Sequence, residues 1–214
     1  MEFKRFISFE GIDFSGKTTQ IDLLVKRLAR YGIHPEVVRE PGGTTISEKI
    51  RDILLSKVHQ EMHAITEILL YEAARAQLVH QIILPKLKTG TFIIADRFFD
   101  STTCYQGFGR GLDLKLVHLL NKFATSGLKP FKTFFIDISP EVAETRKTKN
   151  KKRQDRLESA GIPFFERIRQ GFLTLCKEDT QRFMLVNGER EPEKIAEEIW
   201  QTIYQIWIKP LKKS

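Results

Sequence analysis

The chain has 214 residues, enough for one domain with a substantial core, and its 41% apolar and 29% charged residues are ordinary for a globular protein. No run approaches the ~18 uninterrupted apolar residues of a membrane-spanning helix, which argues against a membrane protein. The net charge of +8, from 35 basic and 27 acidic residues, leaves nucleic acid, a membrane surface or a small polyanion as partner classes. Met1 to Arg5 lead straight into an apolar run with no signal-peptide pattern. Cys104 and Cys176 form no short-spaced pair, so a reducing, cytoplasmic setting is expected.

In chain order, short apolar runs alternate with longer amphipathic stretches. The first strand is expected at Arg5–Glu10, and Gly11 to Thr18 then read Gly-Ile-Asp-Phe-Ser-Gly-Lys-Thr, a complete phosphate-loop motif. Its glycines let successive backbone N–H groups turn inward, and the helix that follows, Lys17–Tyr31, adds the positive end of its dipole. Lys17 is then placed for the β- and γ-phosphates of a nucleoside triphosphate, and the Thr18 hydroxyl for Mg²⁺. A second strand, Glu36–Arg39, leads into Arg39-Glu40-Pro41-Gly42-Gly43-Thr44, with Arg51 one or two turns into the next helix, Ile46–Ser56.

The long helix Ala64–Lys88 carries Tyr71 and Arg75 four residues apart, on one face. Together they suit a flat heterocycle, one stacking and the other bonding a carbonyl; alone, they read more readily as a half-buried Tyr and a solvated Arg. The third strand, Thr91–Ala95, ends on Asp96-Arg97, a carboxylate for Mg²⁺ and a planar fork for phosphate oxygens, or else a capping Asp beside a surface Arg. Residues 100–111 are dense in polar residues and glycine, and Tyr105 and Gln106 there could contact a nucleoside or cap a loop. Further helices are expected at Leu114–Ser126, Pro140–Lys149, Phe164–Asp179 and Pro192–Ile208, and strands at Thr133–Ile138 and Arg182–Val186. Gly32, Gly90 and Gly127 fall at helix ends, Pro140 and Pro192 at helix starts.

This alternation predicts an α/β fold: a doubly wound, parallel five-stranded sheet flanked by helices, in one domain spanning 1–214. Ligands of such sheets sit at the strands' carboxyl ends, which gathers Glu10–Thr18, Arg39–Thr44, Asp96–Arg97 and Asp137–Ser139 on one rim. Arg39, Arg51 and Arg97 suit a phosphate-bearing acceptor, whose repulsion from a triphosphate must be neutralised. Seven basic residues lie between Arg146 and Arg156 against Asp155 alone. Their position after the fourth strand favours a basic lid, about 146–161, over a nucleic-acid surface. The five histidines show no ligand-like clustering.

Four motifs resemble the thymidylate kinase family over nearly the whole chain: Phe9-Glu10-Gly11-Ile12-Asp13 through Gly16-Lys17-Thr18-Thr19-Gln20; Arg39 to Thr44; the series Asp96-Arg97, Asp100-Ser101, Tyr105-Gln106-Gly107, Gly109-Arg110-Gly111; and Asp155-Arg156-Leu157-Glu158. The resemblance implies a P-loop nucleoside monophosphate kinase-like fold and transfer of the ATP γ-phosphoryl group to dTMP, with Mg²⁺, in dTTP biosynthesis. It implies that Gly11, Ile12, Asp13, Phe14, Ser15, Gly16, Lys17, Thr18 and Thr19 cradle the donor phosphates, Thr18 and Asp96 holding the metal. Arg146 stacks on adenine, and Asn187 lies in the segment lining it. Asp13 binds the deoxyribose 3′-hydroxyl, and Tyr71 stacks on thymine. Arg75 bonds O4, Gln106 and Thr102 read the base edge, and Tyr105 fills the space of a ribose 2′-hydroxyl. Arg39, Arg51 and Arg97 hold the acceptor phosphate, and Glu40 in the same segment is a further substrate-binding residue.

Three positions depart from the family pattern. Tyr71 stands where phenylalanine is more usual, and Cys104 where a small residue is. Phe14 stands where some members carry an arginine that reaches the γ-phosphate. Others place catalytic arginines in the lid, which here offers Arg153 and Arg156 beside Lys17, Arg97 and Asp96 in the loop and rim. A homodimer is expected from the resemblance. The alternatives are another nucleoside monophosphate or deoxynucleoside kinase, and a nucleic-acid-stimulated ATPase.

Overall fold

The computed structural model describes residues 3–149, 156 and 161–211. Five strands form one parallel sheet in the order β2-β3-β1-β4-β5: β1 (Phe6–Glu10), β2 (Glu36–Arg39), β3 (Ile93–Asp96), β4 (Lys132–Asp137) and β5 (Phe183–Asn187). The chain winds to one side of β1 through β2 and β3, then to the other through β4 and β5. The crevice at the carboxyl end of β1 is therefore the point where the winding reverses, the place such sheets bind ligands.

The helices are α1 (Lys17–Ala29), α2 (Thr45–Leu55), α3 (Ala64–Leu78), α4 (Leu84–Lys88), α5 (Phe99–Thr102), α6 (Leu114–Ala124), α7 (Pro140–Lys149), α8 (Ile162–Glu178), α9 (Pro192–Ile203) and α10 (Lys209–Leu211). The expected long helix over Ala64–Lys88 is continuous but widens into a π turn at Val79–Ile83, between α3 and α4. Pro85, in the first turn of α4, lacks the N–H that a regular α-helix would use there, and the widened turn accommodates it. A second π turn, Tyr204–Ile208, interrupts the last helix before α10. The polar, glycine-dense stretch after β3 is not a loop. Residues Phe99–Thr102 form α5 and Thr103–Gly109 continue as a buried π turn.

The two-residue period of the strands divides the core between the faces of the sheet. On one face Ile7, Phe9, Phe134 and Ile136 meet Leu24 and Leu28 of α1 and Ile199, Trp200 and Ile203 of α9. On the other, Phe135 stacks on Phe172 of α8 at 4.8 Å. Phe6, Ile93 and Ala95 meet Leu78 and Leu87 on the long helix and Phe98 after β3. With both faces covered, β1 is buried at all five positions, and this accounts for the nearly continuous apolar runs. No helix among the described residues is long and apolar enough to cross a membrane.

Candidate active site

The phosphate loop runs from the end of β1 into α1. Gly11 has φ 144°, and a Cβ there would lie 2.5 Å from the Ile136 carbonyl oxygen, so the backbone passes too close to β4 for any side chain. Gly16, at φ 98°, caps α1 in a left-handed conformation. Phe14 is left-handed too, at φ 63°, an uncommon conformation for a bulky residue. The Lys17 ammonium folds back under the loop and donates to the carbonyls of Gly11 at 3.0 Å and Ile12 at 2.9 Å, and to Ser15 Oγ at 3.3 Å. Burial and the neighbouring Arg97 push it down to about 8, against the pull of Asp96 and Asp13. A triphosphate in the loop would restore its full charge.

Thr18 Oγ donates to Asp96 Oδ2 at 3.1 Å across the mouth of the loop. A hydroxyl and a carboxylate oxygen side by side at the exposed end of the cradle are hard donors of the kind Mg²⁺ takes.

The acceptor side meets the loop through Arg97. This residue stands just past β3 at φ 71°, its N–H tied to the Phe9 carbonyl, so its side chain turns back over the loop. Arg97 Nη2 pairs with Asp13 Oδ1 at 2.6 Å and donates to the Tyr105 hydroxyl at 3.1 Å; Nη1 donates to the Gly11 carbonyl at 2.8 Å and Ser101 Oγ at 3.1 Å. Burial alone would raise the Asp13 carboxyl, but Arg97 and Lys17 hold it below the usual carboxylate range. The Tyr105 hydroxyl donates to Asp13 Oδ2 at 3.2 Å.

One cleft of about 1110 Å³ joins these groups. Asp13 to Gln20, Arg146 and the Gly188–Pro192 segment line one part, and Arg39, Glu40, Pro41, Arg51, Tyr71, Arg75, Arg97, Thr102, Tyr105 and Gln106 the other. Of the expected donor-side residues, Gly11 and Ile12 contribute carbonyls from beneath the loop, Ile12 with its side chain in the core. Arg146 donates to the carbonyls of Phe14 and Ser15, each at 3.3 Å, and of Gly188 at 2.8 Å, which pins the last turn of α7 to the loop. Asn187 does not line the cleft; it is exposed, and its side chain accepts from the Glu189 N–H to shape the turn whose next residues do.

On the acceptor side Arg39 is held by both carboxylate oxygens of Glu48, at 2.9 and 3.0 Å, and Arg51 donates to the Pro41 carbonyl at 2.7 Å. Arg75 is not solvated: it is 2% exposed, clamped by Glu40 at 2.6 Å and Glu72 at 2.7 Å, and donates also to Asn121, Thr102 and the Phe98 carbonyl. Burial works against its charge, but the two carboxylates raise it above its ordinary value. Burial in turn pushes Glu40 up to about 7 despite Arg75. Arg156 is not brought to the phosphate loop. Its guanidinium is buried against Glu67 and donates to the Leu54 carbonyl at 3.0 Å, joining Arg110 on a buried carboxylate that would be costly to leave unpaired. Arg153 and most of the expected lid lie outside the described residues.

Three carboxylates with no expected role also shape the site. Glu72 and Glu67 sit on α3 beside Arg75 and Gln106. Glu10, fully buried at the end of β1, accepts from the Phe98 N–H at 2.7 Å and Ser101 Oγ at 2.6 Å, which fixes the turn carrying Arg97. The signal for Glu67 was present: Glu67, Tyr71 and Arg75 are i, i+4 and i+8 on one helix face.

A phosphate loop with a hydroxyl–carboxylate pair at its mouth, continuous with a second pocket ringed by arginines, defines a P-loop nucleotide kinase. The family model described as thymidylate kinase matches residues 9–199. The thymidylate kinase of Prosthecochloris aestuarii is 44% identical over 206 residues, covering 92% of each chain. That of Caldanaerobacter subterraneus subsp. tengcongensis is 48% identical over 187 residues, covering 87% of this chain and 88% of the other. The crystal structure of thymidylate kinase from Ehrlichia chaffeensis superposes with a TM-score of 0.73 at 32% identity, covering 92% of this chain and 97% of that one. The chain belongs to the thymidylate kinase family, whose members use ATP and Mg²⁺.

Burial pushes the Glu10 carboxyl up to about 8, with Asp100 adding to it and Ser101, Arg97 and the Phe98 N–H pulling against it. With its folded value above the ordinary 4.5, Glu10 contributes stability that is full below about 4.5 and is lost as pH rises through about 8. Urea unfolding of Glu10→Gln should therefore show a smaller loss of stability between pH 5 and 8 than the parent, by on the order of 1 kcal/mol or more. Equal losses in the two proteins would contradict this.

Proposed function

We infer that the chain is an ATP-dependent dTMP kinase, transferring the γ-phosphoryl group to the acceptor phosphate and releasing dTDP and ADP. The observation that carries this reading is the Arg97–Asp13 pair, which fastens the acceptor pocket directly to the phosphate loop. Asp13 takes the acceptor's 3′-hydroxyl, and Arg97 exchanges one protein contact for an acceptor phosphate oxygen. Arg39 and Arg51 add charge at the same phosphate, with Glu40 buttressing the pocket through Arg75. Tyr71 stacks on the base, Thr102 and, by exchanging one of its protein contacts, Arg75 supply donors along its edge, and Gln106 closes the far end. Tyr105 occupies the space a 2′-hydroxyl would need, which favours deoxyribose.

On the donor side Lys17 follows the β- and γ-phosphates, and the loop N–H groups from Asp13 to Thr19 surround them. Arg146 lies against the adenine, with the Asn187 turn opposite. Thr18 and Asp96 hold Mg²⁺, which neutralises phosphate charge when bound. No strong base is required, since positioning and charge stabilisation carry phosphoryl transfer. Phe14 supplies no cation, and Arg156 is engaged at Glu67, so Arg153 is the arginine we assign to the transferring group. The whole chain acts as one domain.

The protein works as a homodimer in the cytoplasm, with no nucleic-acid or membrane partner. The dimer reading is supported by exposed apolar side chains on two helices that pack together: Ile65 and Leu69 of α3, and Leu116, Leu119 and Phe123 of α6, the last 84% exposed. Two free thiols, Cys104 and Cys176, support a reducing compartment. Sedimentation equilibrium should return about twice the 24.9 kDa chain mass.

Coupled assays of ADP release with dTMP, dUMP, UMP, AMP and thymidine should show the highest kcat/KM for dTMP. ADP release that is independent of dTMP and rises with added DNA would favour the ATPase reading. In the same assay Arg153→Ala should lower kcat by ~10²-fold with little change in KM for dTMP, since its contact forms in the transition state. An unchanged kcat would refute the assignment.

A further inference from the structure

Glu67 lies in the first turn of α3, its side chain 1% exposed, and it does not line the cleft. It gathers donors from three residues. Gln106 Nε2 reaches Oε1 at 3.0 Å, Arg110 reaches both oxygens at 3.1 Å, and Arg156 Nη2 closes on Oε2. Burial works to raise this carboxyl, but the hydrogen bonds from Arg110, Gln106 and Arg156 and the charge of Arg110 hold it below the usual range. It is ionised at neutral pH and can only accept.

That constrains its neighbour. Gln106 is 1% exposed yet lines the cleft, so its amide spans from Glu67 to the pocket. An acceptor-only carboxylate cannot face the oxygen end of an amide, so the NH₂ group must turn to Glu67. The carbonyl Oε1 is then the end left for a ligand. Had position 67 carried a neutral amide or hydroxyl, either orientation of Gln106 could be satisfied.

We propose that Glu67 is a specificity-determining positioning residue that locks the Gln106 carbonyl toward the base. The pocket then presents an acceptor and takes a pyrimidine bearing an N3–H, thymine or uracil, over cytosine, whose N3 is itself an acceptor. Glu67 touches no substrate and acts only through Gln106. The proposal rests on the reading of this cleft as a pyrimidine deoxynucleotide site.

Glu67→Gln keeps the shape but offers an N–H₂ to a ring of donors. Gln106 can satisfy it by turning its carbonyl inward and its NH₂ to the pocket. The ratio of kcat/KM for dTMP over dCMP should fall ~10-fold or more, about the value of one hydrogen bond lost from the preferred base and one gained by the other. KM for ATP should move by less than ~2-fold, which a general loosening of the fold would not allow. Introduced into Gln106→Ala, Glu67→Gln should leave the ratio unchanged, because the group it orients is gone. The parent protein supplies a test that needs no substitution: kcat/KM for dUMP should exceed that for dCMP by ~10-fold or more.

A Glu67→Gln protein active on dTMP with its ratio intact would overturn the proposal. So would a ratio change that persists in the Gln106→Ala background, or equal use of dUMP and dCMP by the parent. A parent that does not phosphorylate dTMP would instead overturn the kinase reading.

Discussion

The site depends on one ion pair. Arg97 and Asp13 are 2.6 Å apart, and through them the end of β3 is tied to the crest of the phosphate loop. Strand pairing brings the two chain segments near each other, since Phe9 is in register with Asp96. Register alone does not aim a side chain. The left-handed Arg97 backbone does, and it is held by the Phe9 carbonyl on one side and by Glu10, through Phe98 and Ser101, on the other. A donor cradle and an acceptor pocket become one site because a strained residue is over-determined by its neighbours.

The acceptor pocket is built from buried charge to a degree that stability would not favour. Arg75 between Glu40 and Glu72, and Arg156 on Glu67, remove ions from water. Such pairs are often no better for stability than apolar residues of the same volume, and breaking one leaves an unpaired charge in the interior. Their use here is geometric. Each fixes the direction of a donor or acceptor lining a cleft that must distinguish one base from another. Glu40 Oε1 and Glu72 Oε2 have no hydrogen-bond partner among the described residues, so the clamp on Arg75 is not saturated there on its acidic side.

Much of this was legible in the sequence. The five strands lie where the apolar runs put them, within two residues, because a parallel strand covered on both faces must be apolar at successive positions. The phosphate loop was legible from its motif and context. The buried helix at 99–109 was not. Its glycines and hydroxyls resemble a loop, yet Gly107 and Gly109 serve close packing: a Cβ would meet Leu114 at 2.6 Å and Phe164 at 2.8 Å. That reason is tertiary and leaves no local trace. The solvated reading of Arg75 failed likewise, since its partners Glu40 and Asn121 are 35 and 46 residues away. Arg156, expected over the phosphates, meets Glu67 at a sequence distance of 89 residues. Tyr71, Arg75 and Gln106 share one cleft.

The central claim is that Asp13 and Arg97 act as a unit joining two half-sites. A double-mutant cycle on kcat/KM for dTMP, with Asp13→Ala and Arg97→Ala, tests it most directly. The account predicts strong non-additivity, with a coupling on the order of 1–3 kcal/mol and the double variant little worse than the poorer single one. Losses that add to within about 0.5 kcal/mol would contradict it, and the loop and the acceptor pocket would then be neighbours without being joined.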